Sequence, residues 1–522
     1  MRLPILCTGL LALAASVADA APAAPIVTVG TNDIKQLQFD WDAVPQANRY
    51  ELWFKANAGA SWTLYAQTPA QRPLIRISVS AHLLDWRVAR YLVKACNPSG
   101  CTASAEVGVD DLALDAMGYL KPNGPGNNHR FGHTVALSAD GATMAVLTGE
   151  TMGSKPDSVV AHVYRRTTTT SGWRREARLV PPGAQANTSQ SFEGQPLALS
   201  GDGNTLILGV AKYRTAGVGV PPENGAVFLW RREAAGWRLA ETFGGASIER
   251  NWYGFNVDMD DTAQTIAISH RYESPGQFAG GTVDVFRWRG APNNFFQHVY
   301  TVPVPAFTGT STAFCAAMSL SGDGKRLFRS CVLDAWPFVQ AVDVSSDSTW
   351  NDLLRFGYAG NNLGIDSTYD GKTFITMTGS GAGVYVEGPN GWVLDGVLGN
   401  NGGSTAIFAH DNCVISRDGK IAALGNWEDN SIGTGPIYPP YASADPGSGA
   451  VVVYERKTAG WSLRRLVKPG STNVQWAGHS VALGNNGKIL AVGAPMDASA
   501  ATGIDGDRDD QTAPERGAVW LY

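Results

Sequence analysis

The chain has 522 residues, of which 44% are hydrophobic and only 17% charged, with 60 glycines and a net charge of −5. That length admits several domains or one large repeat assembly, and the glycine-rich, aromatic, weakly charged composition favours short strands and tight turns over helices or disorder. The negative balance excludes nucleic acid as a partner, because phosphate binding needs a basic surface.

Residues 1–20, MRLPILCTGLLALAASVADA, carry one Arg, an apolar run from Leu3 to Ala15 and the small-residue site Ala18-Asp19-Ala20. This is the pattern of a secretory signal peptide, with the mature chain starting near Ala21. A lipid anchor needs a Cys just after the apolar core, whereas Cys7 sits inside it. No later stretch approaches the ~18 apolar residues that span a bilayer. The expectation is an exported monomer without a membrane span, secreted, periplasmic or at the cell surface. Export places the remaining cysteines where disulfides persist. Cys96 and Cys101 flank the turn NPSG, which predicts a loop-closing disulfide. Cys315 and Cys331 are symmetric about Asp323 in a GDG turn, so pairing of the flanking strands sets them opposite, either bonded or as two buried thiols. Cys413 has no evident partner and reads as a small buried hydrophobe.

Residues 21–110 differ from everything after them. LQFDWDAV alternates Leu37, Phe39 and Trp41 on one face, YELWFK does the same with Tyr50, Leu52 and Phe54, and YLVKACN with Tyr91, Val93 and Ala95. Several short strands in fewer than a hundred residues suggest a β-sandwich. The order of a Trp on an early strand, YELW on the next and YLVKACNPSGC near the end resembles a fibronectin type III domain. The Cys96–Cys101 loop is similar to a variant common in bacterial members. Such domains are generally spacers or binding modules, so the resemblance lowers the expectation of catalysis in this part.

From Phe131 onward one phrase recurs: ADGATMAVLT, GDGNTLILGV, GDGKRLFRSC, YDGKTFITMT, RDGKIAALGN and NNGKILAVGA. The residue three places after the turn Asp, or its substitute, is Thr143, Thr205, Thr265, Arg326, Thr373, Ile421 or Ile489, at intervals of 62, 60, 61, 47, 48 and 68 residues. A unit repeated this way is a single supersecondary element that buries its face against neighbours. Each copy reads as a first strand such as FGHTVALS, the turn, a second strand such as NTLILGV, a variable loop, a third such as GAVFLWRR and, after a Gly-Trp step, a fourth such as GWSLRRLVKPG. Four antiparallel strands in each of seven copies predict a seven-bladed β-propeller over residues 111–522. The last copy stops at Tyr522 after its third strand. Residues 116–124, AMGYLKPNG, match RRLVKPG at 464–470, so a strand donated from 112–122 is expected to close the ring and remove both open edges. The expected fold is all-β, a fibronectin type III-like sandwich followed by this propeller.

Phe131-Gly132, and Ser480 to Pro495 (SVALGNNGKILAVGAP) with its Gly-Ala-Pro ending, resemble FG-GAP repeats, the units of integrin-α-like propellers, in a form found in secreted bacterial proteins. The fourth and fifth copies keep the turn and strands but lose those words. The resemblance implies recognition or adhesion outside the cell, directed at an extracellular or cell-surface protein or glycan, without naming a ligand. Calcium sites of this family are Asp-rich turns, because Ca²⁺ takes six to eight oxygen ligands. The hairpin turns here offer one acid each, Asp140, Asp202, Asp323, Asp370 and Asp418, and Asp before Gly is what such a turn requires sterically. GIDGDRDDQTAPERGAV is different: Asp505, Asp507 and Asp509 alternate in a glycine-containing loop and are the candidate Ca²⁺ ligands, against a solvated acidic loop. Position six is Asp510 rather than Gly and position twelve Arg516 rather than Glu, departures from the EF-hand. Glu428 and Asp429 are a weaker echo.

No HExxH, GxSxG, Walker A or paired CxxC motif occurs. His133 and His479 hold equivalent places in the first and last copies, which reads as a repeat position. Trp173, Trp237, Trp392 and Trp461 recur after Gly in one register, which argues for packing between blades over sugar stacking. The long loops of copies two, six and seven all join second strand to third and so emerge on one face. The candidate ligand-binding residues on this rim are Tyr213, Trp427, Tyr438 and Tyr441. The leading expectation is a non-enzymatic exported binding or adhesion protein. The alternatives are a glycan hydrolase or lyase with its site at the channel mouth, and a structural scaffold.

Overall fold

In the computed structural model the described residues are 20–522 without 124–128, 153–154, 168–171, 183–193, 214–223, 245–251, 275–276, 305–312, 334–335, 358–363, 379–380, 400–411, 438–446 and 472–473. Among them the chain is all-β: no α-helix occurs, a single 3-10 turn spans Asp110–Leu112, and no helix is long and apolar enough to cross a membrane.

Two compact units are present. One contains the described part of Met1–Gly30 with Leu37–Ile77 and Asp85–Asp111; the other contains Thr31–Gln36, Ser78–Leu84 and Leu112–Tyr522. The first holds a four-stranded antiparallel sheet in the order Thr63–Pro69, Arg49–Lys55, Arg90–Asn97, Gly100–Ala103. A three-stranded sheet combines Thr28–Asp33, Gln36–Asp40 and Leu74–Ser78. Leu37, Phe39, Tyr50, Leu52, Tyr91, Val93 and Ala95 are buried, as their alternation requires. Cys96 and Cys101 are bonded across the final hairpin.

The second unit is a succession of four-stranded antiparallel sheets, a β-propeller. The first runs inward in the order Arg174–Leu179, Lys155–Arg165, Thr143–Met152, Val135–Leu137. The later sheets begin on the inner strands Leu197–Leu199, Tyr253–Met259, Ala313–Leu320, Ile365–Ser367, Cys413–Ile415 and Ser480–Leu483. The third and fourth touch through one parallel pairing, Gly280 with Phe314. The sixth gains a fifth strand, because Pro436–Ile437 pairs with the outer strand Gly460–Val467. Cys315 and Cys331 face each other in register and are bonded, while Cys413 is a buried free thiol.

The repeated turn is built one way in five copies, while in the third Asp260 takes the place of the Ser and accepts the Gln264 and Thr265 N–H groups. In the first copy the Ser138 hydroxyl donates to Asp140 at 2.7 Å, Asp140 accepts the Ala142 N–H at 2.8 Å, and Ser138 accepts the Thr143 N–H at 2.9 Å. Ser200/Asp202, Ser321/Asp323, Thr368/Asp370 and Ser416/Asp418 repeat it. The acids are turn formers. The turn glycine takes a left-handed backbone, φ 65° at Gly203, and a Cβ there would overlap Thr143 of the preceding sheet. The aligned Thr143 position is therefore the seat for the next turn. In the closing copy Gly141 meets Ile489 the same way, across the ends of the repeat array.

Backbone hydrogen bonds run from turn to turn: Ala139 to Gly201, Gly201 to Asp261, Asp261 to Gly322, Asp323 to Tyr369, Tyr369 to Arg417, Asp418 to Asn485 and Asn485 back to Ala139. The circuit ends where it began. At the other end of the strands, Gly493 lies so close to Gly132 that a Cβ would overlap its carbonyl oxygen, which is the physical content of the Phe-Gly and Gly-Ala-Pro words.

Closure uses the expected segment, narrowed to Gly118–Leu120, which pairs antiparallel with Ala518–Leu521 as fourth strand of the last sheet. The matching Lys-Pro endings have a purpose. Lys121 is fully buried and donates to Asp497 at 2.6 Å, with the Tyr119 hydroxyl on the same oxygen at 2.8 Å; Lys468 makes the equivalent buried pair with Asp429 at 3.0 Å. Neighbouring sheets are tied by a repeated tyrosine: Tyr522 donates to the Lys468 carbonyl at 2.8 Å and Tyr454 to that of Gly399 at 2.8 Å. The indoles of Trp237 and Trp461 donate to Glu176 and Asp395 of the preceding sheet, so the recurrent Gly-Trp is packing between blades.

Breaking a buried ion pair strands its partner's charge. Asp497→Ala is expected to lower unfolding stability by about 3–5 kcal/mol, read by denaturant titration, while the exposed-turn change Asp418→Asn stays within about 1 kcal/mol.

Candidate functional site

The acidic loop does not gather its carboxylates. Asp505 has φ 53°; its carboxylate accepts the Tyr119 N–H at 3.0 Å and its own N–H donates to the Tyr119 carbonyl at 2.7 Å, so it clamps the closing strand. Burial raises its carboxyl above the ordinary value. Asp507 accepts the Asp509 N–H at 3.0 Å, and its carbonyl accepts the Ser499 hydroxyl at 2.6 Å. Among the described residues, the one set of three ligand-type groups within 4.8 Å of one another is Glu51, Cys96 and Cys101, and there the sulfurs are spent in a disulfide. Asp429 is the buried partner of Lys468. Asp505→Ala is therefore expected to cost about 1–3 kcal/mol by orphaning the Tyr119 N–H, equally in calcium and in chelator; a loss confined to calcium-containing buffer would locate a metal there.

Of the aromatic candidates, Tyr213 donates its hydroxyl to the Pro182 carbonyl and packs its ring edge-on against Phe228, centroids 5.1 Å apart. Trp427 lines a separate feature, the central cavity. Tyr438 and Tyr441 lie outside the described residues.

That cavity, of about 640 Å³, is walled by the first strand of every sheet. Each such strand presents an unpaired edge toward the axis, and polar side chains of the neighbouring sheet satisfy it. Asn256 accepts the Gln195 N–H at 2.7 Å and donates to the Ala316 carbonyl at 2.9 Å. Asp258 accepts the N–H of Leu320 at 2.7 Å and that of Met259 at 2.8 Å. Asp366 accepts the N–H groups of Ser367 and Ile415 at 2.8 and 2.9 Å, with the Ser319 hydroxyl at 3.3 Å. Arg417 reaches across to Asp261 at 3.2 Å and donates to the Ser367 carbonyl at 3.1 Å.

The electrostatics follow from crowding three carboxylates around one guanidinium. Burial pushes Asp258 up to about 7, against the pull of Arg417 and its two N–H donors; burial likewise raises Asp366 and Asp261. Burial alone would lower Arg417, but Asp261, Asp366 and Asp258 hold it above its ordinary value. A carboxyl raised on folding binds its proton more tightly in the native state, so its stabilising effect is present at low pH and lost as pH rises through about 7. Melting temperature is expected to rise between about pH 8 and pH 6, and Asp258→Asn to flatten that slope.

The mouth of the cavity on the long-loop side has different chemistry. His133 and His479 are in contact, ring centroids 4.5 Å apart, and Nδ1 of His479 lies 3.3 Å from the His133 carbonyl, which makes it the donor nitrogen. Burial, then His479 and Arg130, hold His133 well below the usual imidazole range. Asn412 donates to the His479 carbonyl at 2.5 Å. Trp476 lies parallel to His479, 5.9 Å between centroids, and meets Trp427 at 4.8 Å with a 52° tilt. Trp476 and the histidine contact were not anticipated. The available signal was that His133 and His479 follow corresponding glycines in copies that become neighbours once the ring closes.

No protein-family model matches the chain, and no curated protein sequence matches it. Among solved structures it is similar to the Cps50 (Swd1) β-propeller domain of Myceliophteria thermophila, with 12% identity, coverage of 77% of this chain and 99% of that one, and TM-score 0.46. It is also similar to the periplasmic gluconolactonase PpgL of Pseudomonas aeruginosa (13%, 81% and 97%, 0.41) and to the Dos1 propeller (10%, 77% and 95%, 0.39). At these values no chemistry is carried across from them.

Proposed function

We propose that the chain is an exported, non-enzymatic binding protein that recognises an extracellular or cell-surface protein or glycan through the long-loop face of its propeller. In this reading residues 1–20 are a signal peptide, 21–110 a fibronectin type III-like module and 111–522 a seven-bladed FG-GAP-type propeller. The two disulfides suit an oxidising compartment. The observation that carries the proposal is the division of labour within the cavity. The wall acids Asp258 and Asp366 spend their carboxylate oxygens on backbone N–H groups of their own strand and of the next sheet, whereas the mouth presents half-buried Trp427, His133 and His479, with Trp476 packed on Trp427 and His479. Carboxylates used this way are poorly placed to protonate a glycosidic oxygen or activate water, which counts against the hydrolase alternative.

The test is a screen of the mature chain against arrays of extracellular proteins and glycans, repeated with residues 438–441 replaced by Gly/Ser, which spares the paired strand Pro436–Ile437, and with Trp427→Ala. At least one ligand is expected to be retained by the native chain and lost, about tenfold or more, by each variant at unchanged melting temperature. A ligand held equally by all three would remove the loop face as the site.

A further inference from the structure

The residue just before the inner-strand glycine motif has a left-handed backbone in three sheets: Arg130 (φ 48°), Trp252 (φ 40°) and Trp476 (φ 62°). Glycine or asparagine adopts that conformation cheaply; a tryptophan does so only against steric strain. Strain kept at a fixed place in a repeat points to a side chain whose direction matters. In two of the three sheets an internal role accounts for it. Arg130 is paired with Glu515 at 2.9 Å, and Trp252 is 5% exposed beneath Lys212 and Arg271, whose cationic groups lie 4.2 and 4.9 Å from its ring.

Trp476 is different. It is half-buried, it is pinned from below by its N–H donating to the Gly447 carbonyl at 2.9 Å, and its ring meets that of Trp427, itself half-buried on the cavity wall. The two indoles form a tilted wedge, anchored on one side by the parallel His479 ring. Beside it, the imidazoles of His479 and His133 and the amide of Asn412 line the entrance. Rigid aromatic faces next to a few polar groups at the edge of a concavity are what a sugar ring requires: its C–H face packs on indole while its hydroxyls exchange hydrogen bonds with amide and imidazole. A protein partner would call instead for a broad apolar centre, and among the described residues the wedge is a small one.

We propose that Trp427 and Trp476 form a stacking subsite for a pyranose ring, so that the ligand of the propeller is a neutral glycan whose terminal residue sits at the channel mouth with His479, His133 and Asn412 around it. This rests on the binding function proposed above and selects glycan over protein.

The test uses saturation-transfer NMR and calorimetry on the mature chain with cello-, xylo-, galacto- and chito-tetraose as probes, for the native protein, Trp476→Gly and Trp427→Ala. Glycine relieves the left-handed backbone and so offsets part of the packing lost with the ring, and the melting temperature of each variant is measured alongside its affinity so that a lost fold is told apart from a lost subsite. The expected result is binding of at least one tetraose, with saturation strongest at ring C–H protons, weakened about tenfold or more in both variants. Binding of a tetraose with unchanged affinity in Trp476→Gly overturns the subsite while leaving a glycan-binding protein. Absence of binding by all four overturns the neutral-glycan assignment, and retention of a protein in the array screen would then separate that failure from failure of the binding function itself.

Discussion

A strand that lines a central channel has one edge with no neighbour, and the N–H and C=O groups along it must be satisfied without filling the channel. In this protein the solution is lateral. Each turn passes a backbone hydrogen bond to the next until Asn485 returns to Ala139, and Asn256, Asp258 and Asp366 reach from one inner strand to the edges of others. The left-handed turn glycines, seated against Thr143, Thr265, Arg326, Ile421 or Ile489 of the preceding sheet, and the bare contact of Gly493 on Gly132 all bring the sheets near enough for those bonds to form.

The same lateral economy explains the electrostatics. A carboxylate that caps a neighbour's N–H must remain ionised to accept well, yet the wall of a narrow cavity withdraws water from it. Asp258 sits at the balance of these effects, and Arg417 is the counter-charge shared among three acids from two other sheets. These groups hold the assembly together, and the opposite end of the cavity, where side chains vary from copy to copy, does not share that duty.

Local features were legible in the sequence because their causes are local. Asp-Gly turns, alternating strands, the Gly-Trp step and the Cys96–Cys101 hairpin each occupy a few consecutive residues, and the Lys-Pro echo identified the closing strand because both copies bury the same Lys–Asp pair. What stayed hidden joins residues tens or hundreds of positions apart. Asp258 on Leu320, Trp427 on Trp476 and His133 on His479 depend on how one sheet is rotated against the next. In the acidic loop, Asp505, Asp507 and Asp509 alternate as a ligand set does, and only the folded chain shows that Asp505, with its left-handed backbone, accepts the Tyr119 N–H.

The pairing of Gly118–Leu120 with Ala518–Leu521 also sets an order of events. Leu120 and Val519 are partners across about 400 positions of chain. The strand that completes the last sheet leaves a ribosome about 400 residues before its partner. Until Val519 emerges, the Tyr119 and Lys121 side chains lack the environment that buries them, and the first sheet has no neighbour behind it. Closure is thus a late, entropically costly step that rewards the full circle at once.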